Sequence, residues 1–578
     1  MFVKVTQSGG RRYAQLVESF RNEQGKPRQR TICTLGRLEP GGAVDTLIDS
    51  LNRAQGRDSQ TSANPLNELR FMDSRKAGDV WAVAQLWRSL GLDDLAHAWR
   101  GSRVELDVLA CLRSMVFNRL CDPSSKLGVL RWLDSVAWPA DFGFDDAPPS
   151  HQHLLRAMDV LDEHSAALGE RMAALMRPLI DQDLSVVFYD LTTVEIAGEA
   201  VVTNDVRLKG RSKSGLIERQ FMLSLVQTAE GLPIAHEVHP GNTAEAKTLL
   251  PMITELLARY ALKRVVLIAD RGLLNVSNLD QLAQLQQTLR AQKRDITLEY
   301  ILAVPAARYG EFADALGTLA AAQTKDQAWV GETTWADPDE PDAPTRRLVV
   351  AHDPQAAARR MQQRQATIDE LIQQGQQWSG KLDQQDAGQR GRGKPLSDSG
   401  AKARFYHAVR QASLAHVIQV DLKTDAFTYS LDEDKQRYLE LLDGKLLLVT
   451  NTLGPAEQVV QRYKSLADIE RGFRVLKSDI EIGPVYHRLP KRIRAHSLVC
   501  FIALVIYRVM RMRLKASQRE ESPSRLLEQL RRIHQQTVQT ADGQTLTGLT
   551  EMGALQKALF KSINIPTPTP ANLAKPRL

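Results

Sequence analysis

Two aliphatic runs that each lead into an aspartate constrain the fold of this chain most strongly. LSVVFYD reaches Asp190 and RVVLIAD reaches Asp270. Between them lie two further strand-like runs, RQFMLSLVQT and LPIAHEV, and a helical stretch, TAEAKTLLPMITELLARYAL. Short apolar runs bounded by turn residues predict buried strands, and the interposed helix predicts a layered α/β sheet. Functional residues of open α/β sheets cluster at the carboxyl ends of strands, so both aspartates are expected at one edge.

A third carboxylate, Glu470, lies in a segment with helical character, RYKSLADIERGFRVLKS. Tyr463, Glu470 and Lys477 recur in it at intervals of seven. Seven residues make two helical turns with a drift of about 20°, so the spacing predicts one helix with these three side chains on one face. That face is either a solvated surface or one edge of a catalytic site, and periodicity does not distinguish the two.

The three carboxylates together suit a metal-dependent active site. Hard cations prefer oxygen ligands, and two of them about 3.5–4 Å apart support phosphoryl transfer. Each aspartate alone would more often be a turn residue or a helix cap. Arg271 and Gly272 directly after Asp270 favour a tight turn whatever the role of that aspartate. The combination of Asp190, Asp270 and Glu470 with this strand order nevertheless favours the catalytic interpretation.

The 578 residues are too many for one hydrophobic core, so several domains are expected. The predicted regions are a strand-rich module at 1–52, a helical domain at 69–180, α/β segments at 184–290 and 441–515, a mixed segment with several strand-like runs at 291–440, and a helical C-terminal region with a loose tail at 516–578. The helical domain is compatible with a helix-turn-helix DNA reader or with a plain bundle.

Composition favours an intracellular protein with an anionic partner. The formal charge of +7 and a pI near 9.1 point to nucleic acid rather than to a membrane. The four cysteines show no C-x-x-C pairing and are expected to be reduced. The N-terminus lacks the pattern of a signal peptide. The apolar run SLVCFIALVIY is too short to span a bilayer and predicts a buried helix.

At this point the sequence resembles the DDE transposases of bacterial insertion sequences, in the branch with a Tyr-x2-Arg-x3-Glu-x6-Lys signature. Tyr463, Glu470 and Lys477 match this spacing, whereas Leu466 stands where the signature has arginine. The blocks YDLTT, GNTAEAKTLL, ADRGLLNVSNL, SDIEIGPVYHRLPKRIRAH and RQRTICTLGRLE are also similar to the family. The resemblance extends from residue 1 to about 515 and is weakest at 290–440.

The resemblance implies a multidomain α/β fold. Its RNase H-like core, a mixed sheet flanked by helices at 184–290 and 441–515, would be interrupted between Asp270 and Glu470 by a β-rich insertion domain at 291–440. Asp190, Asp270 and Glu470 would bind two Mg²⁺ ions, for which Mn²⁺ can substitute. Activated water would nick the end of the element, and the freed 3′-hydroxyl would attack target DNA. Tyr463 and Lys477 would contact phosphates near the cleaved end.

The partners implied by the resemblance are DNA, as the terminal inverted repeats of the element and as the target, and a second copy of the chain in a synaptic homodimer. The implied location is the bacterial cytoplasm, at the nucleoid, with no membrane contact. Further candidate DNA contacts are Lys209, Arg211, Lys213, Arg271, Arg474, Lys491, Arg492 and Arg494. Most of them lie in the basic runs KGRSKSG and HRLPKRIRAH, which would attract phosphates or form solvated loops.

Two alternatives share the same residues. An RNase H-like nuclease or resolvase would cut DNA without joining it, and a non-catalytic derivative would only bind. The insertion and the helical domain favour transposition, because end recognition and synapsis need additional surface. Presence of all three acidic residues argues against the non-catalytic form. Trp329 and Trp335 could stack on a displaced base, although tryptophans in strands more often belong to a core.

Overall fold

The computed structural model describes residues 1–573 with gaps. Outside the described residues lie 57–68, 102–104, 143–147, 181–184, 199–204, 212–216, 245–246, 261, 270–275, 293, 295, 322, 324–325, 337–344, 390–394, 466 and 574–578. For residues 185–188, 190, 211, 217–218, 269, 276–280 and 467–471 the backbone alone is described.

The chain alternates between strands and helices along its length. The strands are β1 Phe2–Ser8, β2 Arg11–Arg21, β3 Pro27–Arg37, β4 Arg70–Lys76, β5 Ser185–Glu195, β6 Leu208–Arg211, β7 Ile217–Thr228, β8 Pro233–Pro240, β9 Arg264–Ala269, β10 Thr297–Ala303, β11 Trp329–Trp335, β12 Arg346–His352, β13 Ile418–Val420, β14 Tyr429–Leu431, β15 Lys445–Thr450, β16 His534–Gln539 and β17 Thr545–Leu549. The helices are α1 Ala43–Ala54, α2 Gly78–Ser89, α3 Val108–Cys121, α4 Lys126–Asp134, α5 His151–Glu163, α6 Ser165–Met176, α7 Leu249–Arg259, α8 Val276–Ala291, α9 Ala313–Ala321, α10 Pro354–Asp386, α11 Asp398–Gln411, α12 Glu433–Leu442, α13 Ala456–Lys464, α14 Ala467–Ser478, α15 Pro490–Ala516, α16 Pro523–Leu530 and α17 Ala554–Ser562.

Two compact units make up the chain, and the smaller comprises residues 1–74 and 536–548. Strands β1, β2 and β3 form an antiparallel sheet, followed by α1. Gly9 and Gly10 connect β1 to β2 with φ of +56° and +76°. Two consecutive residues with positive φ suit the tight turn of a hairpin, and glycine adopts them without strain. The predicted N-terminal β module is thereby confirmed.

The larger unit is built on a nine-stranded mixed sheet of order β11-β12-β15-β10-β9-β5-β7-β6, in which β8 also pairs with β7. Strands β10, β9 and β5 are parallel neighbours, and the other pairs are antiparallel. Residues Val265 to Ile268 of β9 are fully buried, and alternate ones belong to hydrophobic clusters on opposite faces. The predicted mixed sheet flanked by helices is confirmed.

The segment predicted as a β-rich insertion contains every strand that the sequence suggested there. Three of them, β10, β11 and β12, belong to the core sheet. The remainder is mainly helical, with α10, α11, α12 and the two-stranded ribbon β13–β14 around a separate cluster that includes Phe405 and Phe427. An apolar strand pattern does not reveal which sheet a strand joins, so the sequence could not divide this segment.

Helix α15 connects the helical domain to the sheet. It packs against α2, α3, α5, α16 and β8 within the larger unit. By length and composition α15 could cross a membrane, but 94% of its apolar stretch is buried inside the fold. It is therefore a core helix, as the sequence predicted for SLVCFIALVIY.

The C-terminal region contains two strands where the sequence predicted helices. Strands β16 and β17 form a hairpin that continues into β4, in the order β17-β16-β4. The stretch HQQTVQ of β16 is polar, and its alternation of buried and half-buried residues becomes visible only in the fold. Helices α16 and α17 agree with the helical prediction.

Candidate active site

The two strands that lead to the aspartates lie side by side. Strands β5 and β9 are parallel neighbours, and Tyr189 is in register with Ala269. Asp190 is the next residue of β5, and Asp270 follows Ala269 in the sequence. Asp270 itself lies outside the described residues, as does the side chain of Asp190. Strand β9 ends at Ala269, but β5 continues to Glu195, so Asp190 lies within its strand and not at the strand end that the sequence predicted.

The helix that carries Glu470 packs on the same part of the sheet. Helix α14 contacts β5 and α15. A methyl group at Gly472 of α14 would come within 2.6 Å of the Gln227 side-chain nitrogen on β7. Gln227 pairs with Phe188, two residues before Asp190 on β5. The side chain of Glu470 is not among those described, but its helix contacts β5, the strand that carries Asp190.

The predicted single helix is wrong in one respect, because the segment forms two helices. Helix α13 ends at Lys464 and α14 begins at Ala467. The Ser465 hydroxyl donates a hydrogen bond to the Arg462 carbonyl at 2.7 Å, a local bond that competes with helix continuation. Tyr463 therefore lies on a different helix from Glu470 and Lys477, so heptad spacing aligns only the latter two. Leu466 lies between the helices and outside the described residues.

The predicted DNA-contact residues of this segment differ in exposure. Arg474 and Lys477 on α14 are exposed. Tyr463 is half-buried against the cluster that covers the second face of the sheet, which includes Val459 and Val460 of α13. Its ring has a packing role, whereas the two cations of α14 face solvent.

The first basic run is described only in part. Lys209 is exposed on the edge strand β6, opposite Arg219 of β7. Arg211 is described by its backbone only, and Lys213 and Arg271 lie outside the described residues.

The second basic run is engaged within the protein. Arg492 Nε and Nη2 donate to the Asp159 carboxylate at 2.8 and 3.0 Å, and Lys491 Nζ lies 3.2 Å from the same group. Arg494 forms an equivalent pair with Asp162 at 2.8 and 2.9 Å. Burial raises the pKa of Asp159, but the hydrogen bonds from Arg492 and Lys491 outweigh it and hold that pKa below its usual value. These cations fasten the start of α15 to α5.

Asp159 and Asp162 are structural residues that the sequence reasoning missed. Their spacing of three residues places both on one face of α5. That spacing was visible in the sequence, but their partners lie more than 330 residues away. Only the fold identifies them.

The aromatic and histidine residues singled out in the sequence have packing partners. Trp335 stacks on Phe312 with ring centroids 4.6 Å apart. Lys445 Nζ lies 5.6 Å from the ring centroid of Trp329. Both indoles pack against the main hydrophobic cluster. His236 stacks on Phe501 at 4.3 Å, and burial lowers the pKa of His236 to about 3. These contacts favour structural roles for all three side chains.

A metal centre at this edge depends on the three carboxylates. Within the described side chains, no group of three or more His, Cys, Asp or Glu is arranged to hold a metal. Two aspartates and one glutamate supply the oxygen ligands that divalent cations such as Mg²⁺ prefer. The donor chemistry of Asp190, Asp270 and Glu470 therefore fits such ions. Among the described residues, β5 pairs with β9 and contacts α14.

Two family models match the chain. Residues 3–63 match the N-terminal domain of IS1634 family transposases. Residues 181–506 match the transposase DDE domain, whose members use divalent metal ions. The second match includes β5, β9 and α14, and it covers more than half of the chain. A search of curated proteins found no match to the chain.

Proposed function

The chain belongs to the DDE transposases, and we propose that it cuts the ends of an insertion sequence and joins them to target DNA by metal-dependent phosphoryl transfer. The observation that carries this proposal is the parallel register of Tyr189 with Ala269, each followed in the sequence by an aspartate of the triad. A domain that recognises and rearranges DNA also accounts for the positive charge of +7.

In this proposal Asp190, Asp270 and Glu470 hold two Mg²⁺ ions, or Mn²⁺ in their place. Bound divalent ions supply activation of the attacking oxygen and stabilisation of the leaving oxygen. The pairing of β5 with β9 and the contact of α14 with β5 support this assignment. The attacking groups are first water, at the end of the element, and then the freed 3′-hydroxyl.

The exposed cations near these elements contact the DNA backbone. Lys477 lies two helical turns beyond Glu470 on α14, so the two residues share one face. Arg474 and Lys209 are exposed as well. Together with Arg211, Lys213 and Arg271 they contribute affinity that falls with salt. Tyr463 contacts a phosphate through its hydroxyl group while its ring remains packed.

Synapsis of two element ends requires two active sites, so a homodimer on DNA is part of the proposal. Its substrates, the terminal inverted repeats and the target DNA, place the reaction in the bacterial cytoplasm at the nucleoid. Lys491, Arg492 and Arg494 retain a smaller share in DNA binding, since their charges are already paired with α5.

A strand-transfer assay with a labelled element end and Mg²⁺ tests the proposal. The wild-type chain should give joined products, and Glu470→Gln should abolish both cleavage and joining while leaving DNA binding in place. Glu433→Gln removes an exposed carboxylate of α12 and serves as the matched control, with full activity expected. Cleavage without joining would identify a nuclease, and joining by Glu470→Gln would refute the assigned triad.

A further inference from the structure

A cleft of about 790 Å³ opens in the larger unit beside the residues that follow α14. Its walls come from the connection between α3 and α4, from the start of α5 and from residues 481–489. The lining includes four Arg or Lys side chains and three histidines, with Glu481 as its acidic member. Apart from the minor DNA contact of Arg492, which lines the cleft, the transposition chemistry proposed above assigns this cleft no role.

Two of the cations in the cleft are buried without a carboxylate partner in the described part of the chain. Arg119 and Lys126 each retain about 6% of their exposure. The Arg119 guanidinium donates to the carbonyls of Ile480 and Glu481 at 3.3 and 3.0 Å and to that of Ser124, but its Nε is buried and unpartnered. Burial of an uncompensated charge is costly, so such cations suggest an anion that completes the site.

Lys126 has only a histidine at hydrogen-bonding distance among the described residues. Its Nζ lies 3.5 Å from His496 Nδ1. His496 Nε2 lies 2.9 Å from the Ile482 carbonyl, which can only accept, so Nε2 carries the proton and Nδ1 is left as an acceptor. Burial and the nearby Arg119 charge lower the pKa of Lys126 to about 7, although Cys500 acts to raise it. A bound anion would restore its positive charge.

Three helices begin at this cleft. Lys126 is the first residue of α4 and His151 the first of α5, and both line it. Leu489, the residue before α15, lines it as well. Ser125 and Ser150 already accept one N–H group each at the starts of α4 and α5, so it is mainly the partial positive charge of these helix N-termini that attracts a phosphate. The helix dipoles and the buried cations therefore both favour an anion in the cleft.

We propose that this cleft binds a phosphate group of the DNA, with Arg119 and Lys126 at its base and Arg488 at its rim. The anion site follows from the buried cations, whereas DNA as the source of the phosphate rests on the proposed function. Tyr486 at the rim is 72% exposed and offers a ring on which a neighbouring base can stack. The volume exceeds that of a single phosphate, which also favours a nucleotide unit of a longer strand.

Thermal unfolding in the presence of simple anions tests the site without DNA. Sulfate and inorganic phosphate should raise the midpoint of the wild-type protein beyond the effect of chloride at equal ionic strength, because they bind only the folded state. Sulfate and phosphate also stabilise folded proteins without binding a site, so Lys126→Met should lower this rise without removing it. Lys557→Met removes an exposed lysine of α17 away from the cleft lining and should keep the full rise. An equal rise in the wild-type protein and in Lys126→Met would overturn the anion site.

The rim provides a second variant if Lys126→Met does not fold. Arg488 is exposed, so Arg488→Gln should leave the fold intact and should reduce the anion-dependent rise of the midpoint. An unchanged rise in Arg488→Gln would remove this residue from the site and count against the proposal.

DNA binding at several salt concentrations tests the source of the phosphate. Lys126→Met should weaken binding of an element end about tenfold, as expected for loss of a charged hydrogen bond. It should also reduce the slope of log affinity against log salt by about 0.9, the value for one phosphate contact. A sulfate effect combined with unchanged DNA affinity would show an adventitious ion only. If the wild-type protein binds anions but joins no strands, the transposase mechanism is wrong and the cleft proposal stands. If it joins strands but binds no anion, the cleft proposal is wrong and the transposase mechanism stands.

Discussion

Arg492 and Asp159 form a two-point ion pair that joins α15 to α5 across 333 positions of sequence. Its hydrogen bonds measure 2.8 and 3.0 Å, and the Arg494–Asp162 pair repeats the arrangement. Arginines in a basic run next to a predicted catalytic helix invite assignment to DNA. Here the fold uses them first to hold the start of α15 in place, beside the anion cleft.

Asp159→Asn should destabilise the protein by about 1–2 kcal/mol at pH 7, because it leaves Arg492 and Lys491 without their carboxylate. The pKa of Asp159 is held below its usual value, so its stabilisation is present above the ordinary aspartate pKa and is lost as pH falls through the lower folded value. The thermal midpoints of wild type and variant should therefore converge in acid. Asp434→Asn, at an exposed site, is the control and should have little effect. A constant difference down to strongly acidic pH would contradict this account.

Gly472→Ala should impair catalysis more than stability. The added methyl group would lie 2.6 Å from Gln227 Nε2, and Gln227 is fully buried, so either its side chain moves or α14 shifts and carries Glu470 with it. Gly317→Ala on α9 meets no atom within 4 Å and should preserve activity while gaining up to about 1 kcal/mol of helix propensity. Strand transfer and thermal unfolding should be measured on both variants.

Adding Gln227→Ala to Gly472→Ala supplies the matching rescue. The Gln227 amide has no hydrogen-bond partner in the described part of the chain, so removing it breaks no hydrogen bond there. Partial recovery of strand transfer is expected in the double variant. Failure to recover, with the fold intact, would show that the close approach of α14 to β7 does not position the active site.

Lys126→Met should stabilise the anion-free protein, and the gain should depend on pH. The pKa of Lys126 is lowered from 10.5 to about 7 in the folded state, so the unfolded chain binds more protons between these values. Wild-type stability from this group therefore rises with pH from about 7 towards 10.5, at up to about 1.4 kcal/mol per pH unit. The advantage of the variant should be largest below pH 7 and should shrink in alkali. Calorimetry across this range, without sulfate or phosphate, measures the difference.

Lys477→Gln should weaken binding of DNA and reduce the salt slope by about 0.9 if this exposed lysine contacts one phosphate. Lys557→Gln on α17 provides the comparison, with an unchanged slope expected. Protein stability should change little in either variant, because interactions of exposed charged side chains contribute little to stability. An unaltered slope in Lys477→Gln would place this lysine outside the DNA contact.

Much of the core followed from local patterns. The aliphatic runs before Asp190 and Asp270 predicted β5 and β9, and their parallel pairing was a consequence of ordinary α/β connectivity. The pattern also predicted α15 as a buried helix, since its apolar run had no polar face. These features are local, or depend on the next element in the chain.

Other features depended on contacts between distant residues. Heptad spacing suggested one helix through Tyr463 and Glu470, but a serine hydroxyl at 465 bonds back to its own helix where α13 ends. The basic run at 487–496 has the same composition whether it binds phosphates or the carboxylates of α5. Arg119 and Lys126 resemble ordinary surface residues in the sequence, but the fold buries them, and no carboxylate of the described residues pairs with them. The helix break, the ion pairs with α5 and the burial of Arg119 and Lys126 cannot be predicted from the spacing of residues along the sequence.

The position of β15 has a consequence for synthesis of the protein. This strand lies between β10 and β12 in the sheet, and α14 and α15 follow it in the sequence. The sheet and the proposed metal site therefore need residues from both sides of the mainly helical segment, more than 80 residues long, that separates β12 from β15. A nascent chain that has emerged only as far as β12 has a gap in the middle of its sheet and lacks Glu470. Because such long-range contacts form late, the ability to cut DNA arises only after most of the chain has left the ribosome.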